Sequence, residues 1–201
     1  VPEPWGTQVT NWIVFDYGEV LSLRTAAVPK LAAAMGVSPE TFEPVYWSVR
    51  DPYDRGCPDL EYWTSIGDQV GAKVDDALSA ELTALDVAGW GQLAPGSLDL
   101  LQSLSDAGAS LALLSNAPSA FGVWVREQEW AKLFKHTLFS GDVKVAKPDA
   151  EIFQLLLDKL GAAPEECLFF DDRQVNIDGA RAVGIRAHLW DGAEAARAAL
   201  A

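Results

Sequence analysis

The sequence predicts an α/β fold: an open, Rossmann-like sheet of parallel strands carrying an inserted helical segment. Three observations predict it. Short runs that are apolar throughout recur along the chain, and each ends on a polar or turn residue, as strands covered on both faces do. Amphipathic helical stretches separate the later runs, which makes the strands parallel and the helices their crossovers. Between the first run and the second lie roughly 90 residues without a strand-like run, too long for a crossover.

Trp12-Ile13-Val14-Phe15 reads as a buried strand ending on Asp16. Leu111 to Leu114 ends on Ser115-Asn116, Thr137 to Phe139 on Ser140-Gly141-Asp142, Leu168 to Phe170 on Asp171-Asp172, and Ile185 to Trp190 on Asp191-Gly192. In the long gap, Thr25 to Met35, Pro39 to Arg50, Asp59 to Val70 and Asp75 to Asp86 read as helices, broken at Gly36, Gly56 and Gly71. Further on, Pro95-Gly96 opens a helix over Ser97 to Ala107, which stops at Gly108. Pro148 sits at a first helical position ahead of Asp149 to Leu160, and Asn176 to Val183 stops at Gly184. The expected division is a core of residues 1–24 and 91–201 and a helical cap of residues 25–90.

With 201 residues the chain is one domain, or one core with a smaller insertion. A hydrophobic share of 49% and a charged share of 22% exclude intrinsic disorder. Fifteen Lys and Arg against 29 Asp and Glu give a net charge of −14. A body that acidic repels polyanions, so nucleic acid and anionic membrane surfaces are not expected partners. A small anionic substrate then needs a local positive site. Cys57 and Cys167 read as small hydrophobes rather than a disulfide framework, which suits a reducing compartment. No run approaches about 18 apolar residues. The start, Val1-Pro2-Glu3-Pro4-Trp5, has neither a basic nor an apolar leader segment. The expected location is the cytoplasm.

Ligands of open α/β sheets bind beyond the carboxyl ends of the strands. Asp16, Ser115, Asn116, Lys147, Asp171 and Asp172 collect there. Alone, each has a plain reading: helix cap, turn residue or solvated lysine. Together they offer hard oxygen ligands for a divalent cation. They equally suit a phosphate, with Lys147 and the metal neutralising charge and Ser115 donating a hydrogen bond. Asp16 is then positioned as a nucleophile on phosphorus.

Ile13-Val14-Phe15-Asp16-Tyr17-Gly18-Glu19-Val20-Leu21, Leu113-Leu114-Ser115-Asn116, Lys147-Pro148-Asp149 with Ile152-Phe153, and Phe169 to Ala180 appear in that order. In these motifs the sequence resembles the haloacid dehalogenase-like superfamily, in the branch with a helical cap inserted after the first motif. The resemblance spans about residues 11 to 190. It implies a Mg²⁺-dependent phosphatase of a small phosphorylated metabolite, with Asp16 forming an aspartyl-phosphate. It assigns Mg²⁺ to Asp16, the Gly18 backbone carbonyl and Asp172, supported by Asp171 and Asn176. It assigns the phosphoryl oxygens to Ser115, the Asn116 backbone N–H and Lys147.

One position departs from the pattern. Phosphatases of the family usually carry a second Asp, the general acid and base, where this chain has Gly18. A general acid contributes about 10²–10⁴-fold. Another group or water takes the role, or adjacent Glu19 does, or the protein binds a phosphorylated ligand without turnover. If Gly18 takes a backbone angle reserved for glycine, an Asp placed there would strain the fold. The family's dehalogenases use the same nucleophile without metal, and they are not expected to keep the pair Asp171-Asp172.

Other chemistry finds no support. There is no Gly-x-Gly-x-x-Gly after the first strand and no Gly-Lys-Ser/Thr loop. His136 and His188 flank strand runs and read as structural. The cap aromatics Phe42, Tyr46, Trp47, Tyr53, Tyr62 and Trp63 read mostly as the core of a helical bundle. The polar break from Arg50 to Gly56 differs, and Arg50 and Arg55 are candidates to bind the leaving group.

Overall fold

The computed structural model describes residues 11–200. The opening Val1 to Trp5, read above for a leader, lies outside the described residues. Five strands form one parallel sheet: β1 (Trp12–Phe15), β2 (Ser110–Ser115), β3 (His136–Phe139), β4 (Cys167–Asp171) and β5 (Arg186–Leu189). Their order is β3-β2-β1-β4-β5. Each matches a run expected to be a strand to within one residue at either end.

Between β1 and β2 come α1 (Val28–Ala34), α2 (Pro39–Ser48), α3 (Arg50–Asp54), α4 (Asp59–Val70), α5 (Asp76–Trp90) and α6 (Ser97–Asp106). After β2 come α7 (Ser119–Arg126), the single turn α8 (Ser140–Val143), α9 (Ala150–Leu160), α10 (Gln174–Ala182) and α11 (Ala193–Leu200).

Strand side chains alternate between two buried faces. Ile13, Phe15, Leu113 and Phe170 meet Leu100 and Leu101 of α6, Phe121 of α7 and Leu200 of α11. Val14, Leu114 and Phe169 meet Ile152 and Leu156 of α9 and Ile177 of α10. Burying each such side chain stabilises the fold by about 1.5–3 kcal/mol. The sheet therefore reads as apolar on both sides because both sides are covered. His136 packs beside Trp12 at 5.4 Å and His188 beside Phe170 at 6.0 Å, so both rings lie against strand neighbours.

The chain steps from β1 outward through β2 to β3, then crosses to the other side of β1 for β4 and β5. Strand order reverses between β1 and β4, and that is where an open sheet leaves a crevice for a ligand. Asp16 follows β1, its N–H bonded to the Phe170 carbonyl at 2.9 Å, and Asp171 ends β4.

Helices α1 to α5 pack around a cluster of their own, with Phe42, Tyr46, Tyr53, Tyr62 and Trp63 buried in it. Tyr53 stacks on Tyr62 at 3.9 Å with the rings 7° apart. The Ser38 hydroxyl accepts from the Thr41 N–H to start α2, and the Asp75 carboxylate accepts from the Leu78 N–H to start α5. Gly71, at φ 78°, closes α4.

Several boundaries differ from the sequence reading: α1 starts at Val28 rather than Thr25, α9 at Ala150 with Pro148 outside it, and α10 at Gln174 rather than Asn176. The segment from Arg50 is the short helix α3 rather than a break, with Pro52 tolerated in its first turn and Tyr53 anchoring it in the cap core. Helix α5 runs on past Asp86 to Trp90. Asp86 looked like a polar end, yet it is buried and accepts hydrogen bonds from Tyr46 and Arg50. Both thiols are free, Cys167 buried and Cys57 half-buried against the cap core. Among the described residues no helix is long and apolar enough to cross a membrane.

Candidate active site

At the β1–β4 crevice the Lys147 ammonium is fully buried and all three of its protons have acceptors. It reaches Asp16 Oδ1 at 2.9 Å, Asp171 Oδ2 at 2.6 Å and the Leu114 carbonyl at 3.0 Å. Three different strand ends thus meet on one cation. The loop that carries Lys147 is held by Asn116, whose side chain accepts from the Lys147 N–H and donates to its carbonyl, both at 2.8 Å. The Asn116 side chain is thereby engaged in the scaffold, as the sequence alone did not indicate.

Asp171 is buried and saturated. Besides Lys147 it accepts from the Arg173 N–H at 2.9 Å and from Asn176 Nδ2 at 2.9 and 3.0 Å. Asp172 is half-buried beside it, facing the crevice. Carboxylate oxygens of Asp16, Asp171 and Asp172 lie within 4.8 Å of one another. Ser115, at the end of β2, is buried and lines the same crevice.

The electrostatics are unbalanced. Burial pushes the Asp16 carboxyl up to about 7, and Asp171 adds to the rise while Lys147 opposes it. Burial, then Asp171, raises Asp172 as well. Burial works against the Lys147 ammonium, but the two carboxylates beside it prevail and raise its pKa. Three carboxylates share one ammonium. Asn176 Oδ1 is in addition buried without a hydrogen-bond partner. Hard oxygen donors, excess negative charge and an unsatisfied buried oxygen together fit a divalent cation. Asp171 has its oxygens occupied and orients Lys147, whereas Asp16 and Asp172 keep oxygens toward the crevice.

Over the crevice stands a cavity of about 410 Å³ whose far wall comes from the cap. Trp47 and Trp90 supply its aromatic side, and Asp51 and Asp54 its acids. Arg50 and Arg55 also line it, each already held by carboxylates. Arg50 bonds Asp54 at 2.9 Å through Nε and Asp86 at 2.9 Å through Nη1. Arg55 bonds Asp51 within the cap at 3.1 Å and Asp149 of the core at 2.6 Å. Tyr53, beside them in sequence, faces the cap core instead.

Gly18 lines the cavity and has no left-handed backbone; the positive φ falls on Glu19, at 56°. A Cβ at Gly18 meets nothing closer than Trp90 at 3.5 Å, an ordinary contact. The expectation of a glycine-only angle is therefore corrected. Sequence reading missed Trp90, Asp54 and Ser140 as cavity and seam residues. Trp90 and Asp54 end no strand and reach the site through cap docking, whereas Ser140 follows β3 and its role shows only in its bond to the Asp54 carbonyl.

A family profile described as haloacid dehalogenase-like hydrolase matches residues 10–184. The chain is 26% identical over 168 residues to a phosphoglycolate phosphatase of Pseudomonas putida, covering 80% of this chain and 60% of that protein. It is 29% identical over 148 residues to a phosphatase of Mycobacterium tuberculosis, covering 72% of this chain and 66% of the relative. The chain thus spans less than two thirds of the length of these curated relatives. Its fold matches a family enzyme of Bacteroides thetaiotaomicron, solved with magnesium and inorganic phosphate, at a TM-score of 0.69 and 22% identity over 89% of this chain and 93% of the other. It matches the L-2-haloacid dehalogenase of Xanthobacter autotrophicus at 0.70 and 18% identity over 89% and 76%.

Proposed function

The chain belongs to the haloacid dehalogenase-like hydrolases, and on that premise we propose that it is a Mg²⁺-dependent phosphatase of a small phosphorylated metabolite. The observation that carries the proposal is the buried Lys147 ammonium between Asp16 and Asp171, with Asp172 beside them. The relatives named as phosphatases support the substrate class. Residues 1–24 and 91–201 are the catalytic core in this reading and 25–90 the cap. The net charge of −14 and two free thiols fit a small-molecule enzyme of the cytoplasm.

Lys147, the Ser115 hydroxyl and the Asn116 backbone N–H bind the phosphoryl oxygens and hold phosphorus in line with Asp16. Asp16 attacks, forming an aspartyl-phosphate as the ester oxygen leaves. Water then attacks the acyl phosphate, releasing phosphate and restoring Asp16. Asp16, the Gly18 carbonyl and Asp172 would hold Mg²⁺, with Asp171 and Asn176 behind them. Bound there, the ion offsets the charge on the transferring phosphoryl group. Asp171 keeps the Lys147 ammonium aimed at the site throughout.

Phosphate release from a panel of phosphorylated metabolites, with Mg²⁺ and with a chelator, tests the proposal. Release that needs Mg²⁺ and is lost in Asp16→Asn is expected. Full turnover in chelator, or halide release from a 2-haloacid without metal, would replace it with the dehalogenase reading. Tight phosphate binding without release would leave a phospho-ligand-binding protein.

A further inference from the structure

Expelling an alkoxide from a phosphate ester requires a proton at the leaving oxygen, and the water that follows must give one up. The groups named so far supply neither. Asp16 is the nucleophile, and the Lys147 protons are all held. The Tyr17 hydroxyl donates to the Trp90 carbonyl at 2.8 Å. Glu19 lines the cavity, but its side chain is 42% exposed and lies 3.8 Å from Arg24, and Asp51 is 71% exposed. Asp54 is the largely buried acid that the cap brings to the cavity.

We propose that Asp54, delivered by the cap, is the general acid and base of this site. The proposal rests on the phosphatase reading above and names a further catalytic residue for it. Three contacts seat the Asp54 main chain against the core loops that carry the phosphoryl-binding residues. The Asp54 carbonyl accepts from the buried Ser140 hydroxyl at 2.5 Å, and that hydroxyl accepts from the Ala117 N–H at 2.9 Å. Asp54 is therefore two hydrogen bonds from the loop that begins with Ser115 and Asn116. Arg55, the next residue, bonds Asp149, two residues after Lys147. At Gly56 the cap backbone lies so near the core that a Cβ would come within 2.7 Å of the Gly141 carbonyl.

The side chain is prepared for the task. Its Oδ1 accepts from Arg50 Nε at 2.9 Å, and among the described residues Oδ2 has no protein partner. Burial lifts the carboxyl to about 6 despite Arg50, with Asp86 of α5 and Asp51 of α3 adding to the rise. Arg55, Asp149 and Lys144, whose side chain lies against Gly56, are further charges at this seam. A pKa near the working pH lets one group both give and take a proton. In the first half-reaction the Asp16 oxygen bonds phosphorus, the P–O ester bond breaks, and the Asp54 proton passes to the leaving oxygen. In the second, water bonds phosphorus and gives its proton to the Asp54 carboxylate. The bond from phosphorus to Asp16 breaks, and alcohol and phosphate are the net products.

The test compares 2-glycerophosphate, a poor leaving group, with 4-nitrophenyl phosphate, a good one, both with Mg²⁺. In Asp54→Asn the alkyl-to-aryl ratio of kcat falls by about 100-fold. The alkaline fall of kcat/KM on the alkyl ester disappears. Adding Gly18→Asp to that variant, where a side chain fits against Trp90, restores alkyl turnover. Equal losses on both esters in a protein folded by circular dichroism, or no loss, overturn the proposal. Should the amide variant unfold, Asp54→Glu decides, since it keeps a charge for Arg50 and displaces the proton. In the wild type kcat/KM is nearly independent of leaving-group pKa across a series of esters, and in Asp54→Glu it falls steeply. A slope that is steep in the wild type, or identical in both, overturns the assignment. A wild type that hydrolyses neither ester with Mg²⁺ overturns the phosphatase reading itself, and this inference with it.

Discussion

Two buried cations face each other across the cavity, and each sits between two carboxylates. Lys147 lies between Asp16 and Asp171 on the sheet side, and Arg50 between Asp54 and Asp86 on the cap side. Among the described residues the cap group is closed around Asp86 and leaves only Asp54 Oδ2 open. Arg50 also donates to the Tyr46 hydroxyl at 2.6 Å, and that hydroxyl donates to Asp86 at 2.6 Å. The sheet group is open. Asp172 adds a third carboxylate, Asp16 rises to about 7, and Asn176 Oδ1 has no partner. A buried ion pair is structural where its hydrogen bonds close on themselves, as they do among Arg50, Tyr46 and Asp86. It is reactive when a charge is left over for a ligand.

The sharpest test of this contrast is Asp16→Asn. Phosphate release falls to background, because an amide is no nucleophile. Urea unfolding of the metal-free variant shows stability equal to the wild type or higher, since a buried carboxylate without full compensation is gone. Marked destabilisation would make the sheet group as structural as the cap group.

Lys147→Met comes next. Two carboxylates then remain buried without their ammonium, and the loss in unfolding free energy is about 3–5 kcal/mol. Excess Mg²⁺ recovers part of it, which a thermal melt with and without the ion reads directly.

Arg50→Met is expected to cost about 3 kcal/mol, the lower end of the same range, because Tyr46 still bonds Asp86. Turnover of acetyl phosphate and of a larger ester falls together, as it does when the cap loses its shape. A KM effect confined to the larger ester would make Arg50 a reader of the leaving group.

The smallest effect is that of Arg55→Ala. Its side chain is 32% exposed and its partners more so, and solvent reduces such a pair to within about 1 kcal/mol. The readout is kinetic: KM rises more for an ester that fills the cap side than for acetyl phosphate.

The strands were legible because a strand covered on both faces is apolar at every position, as Leu111 to Leu114 is. Asp16, Ser115 and Asp171 were legible because they end or follow strands, and Lys147 because it stands two residues ahead of Asp149, the N-cap of α9. Helix α3 was not, since Arg50-Asp51-Pro52-Tyr53-Asp54 has one apolar anchor and its charges satisfy one another only in three dimensions. Asp86 misled for the same reason: a buried acid is indistinguishable in sequence from a helix end. Asp54 and Trp90 reach the site through the docking of one body on another, and no local pattern encodes that.

The seam at Gly56 and Gly141 bears on how this protein can be rebuilt. Gly56 takes φ 89°, and a Cβ on it would lie 2.7 Å from the Gly141 carbonyl oxygen, so cap main chain meets core main chain there. In chimeras that exchange the helical segment among relatives, the donor segment seats on this sheet when it offers a left-handed glycine at that point. Any larger residue lifts the graft off the floor of the cavity. The joint works as a keyed fitting, and libraries that vary the substrate-facing wall can range widely so long as those two positions stay fixed.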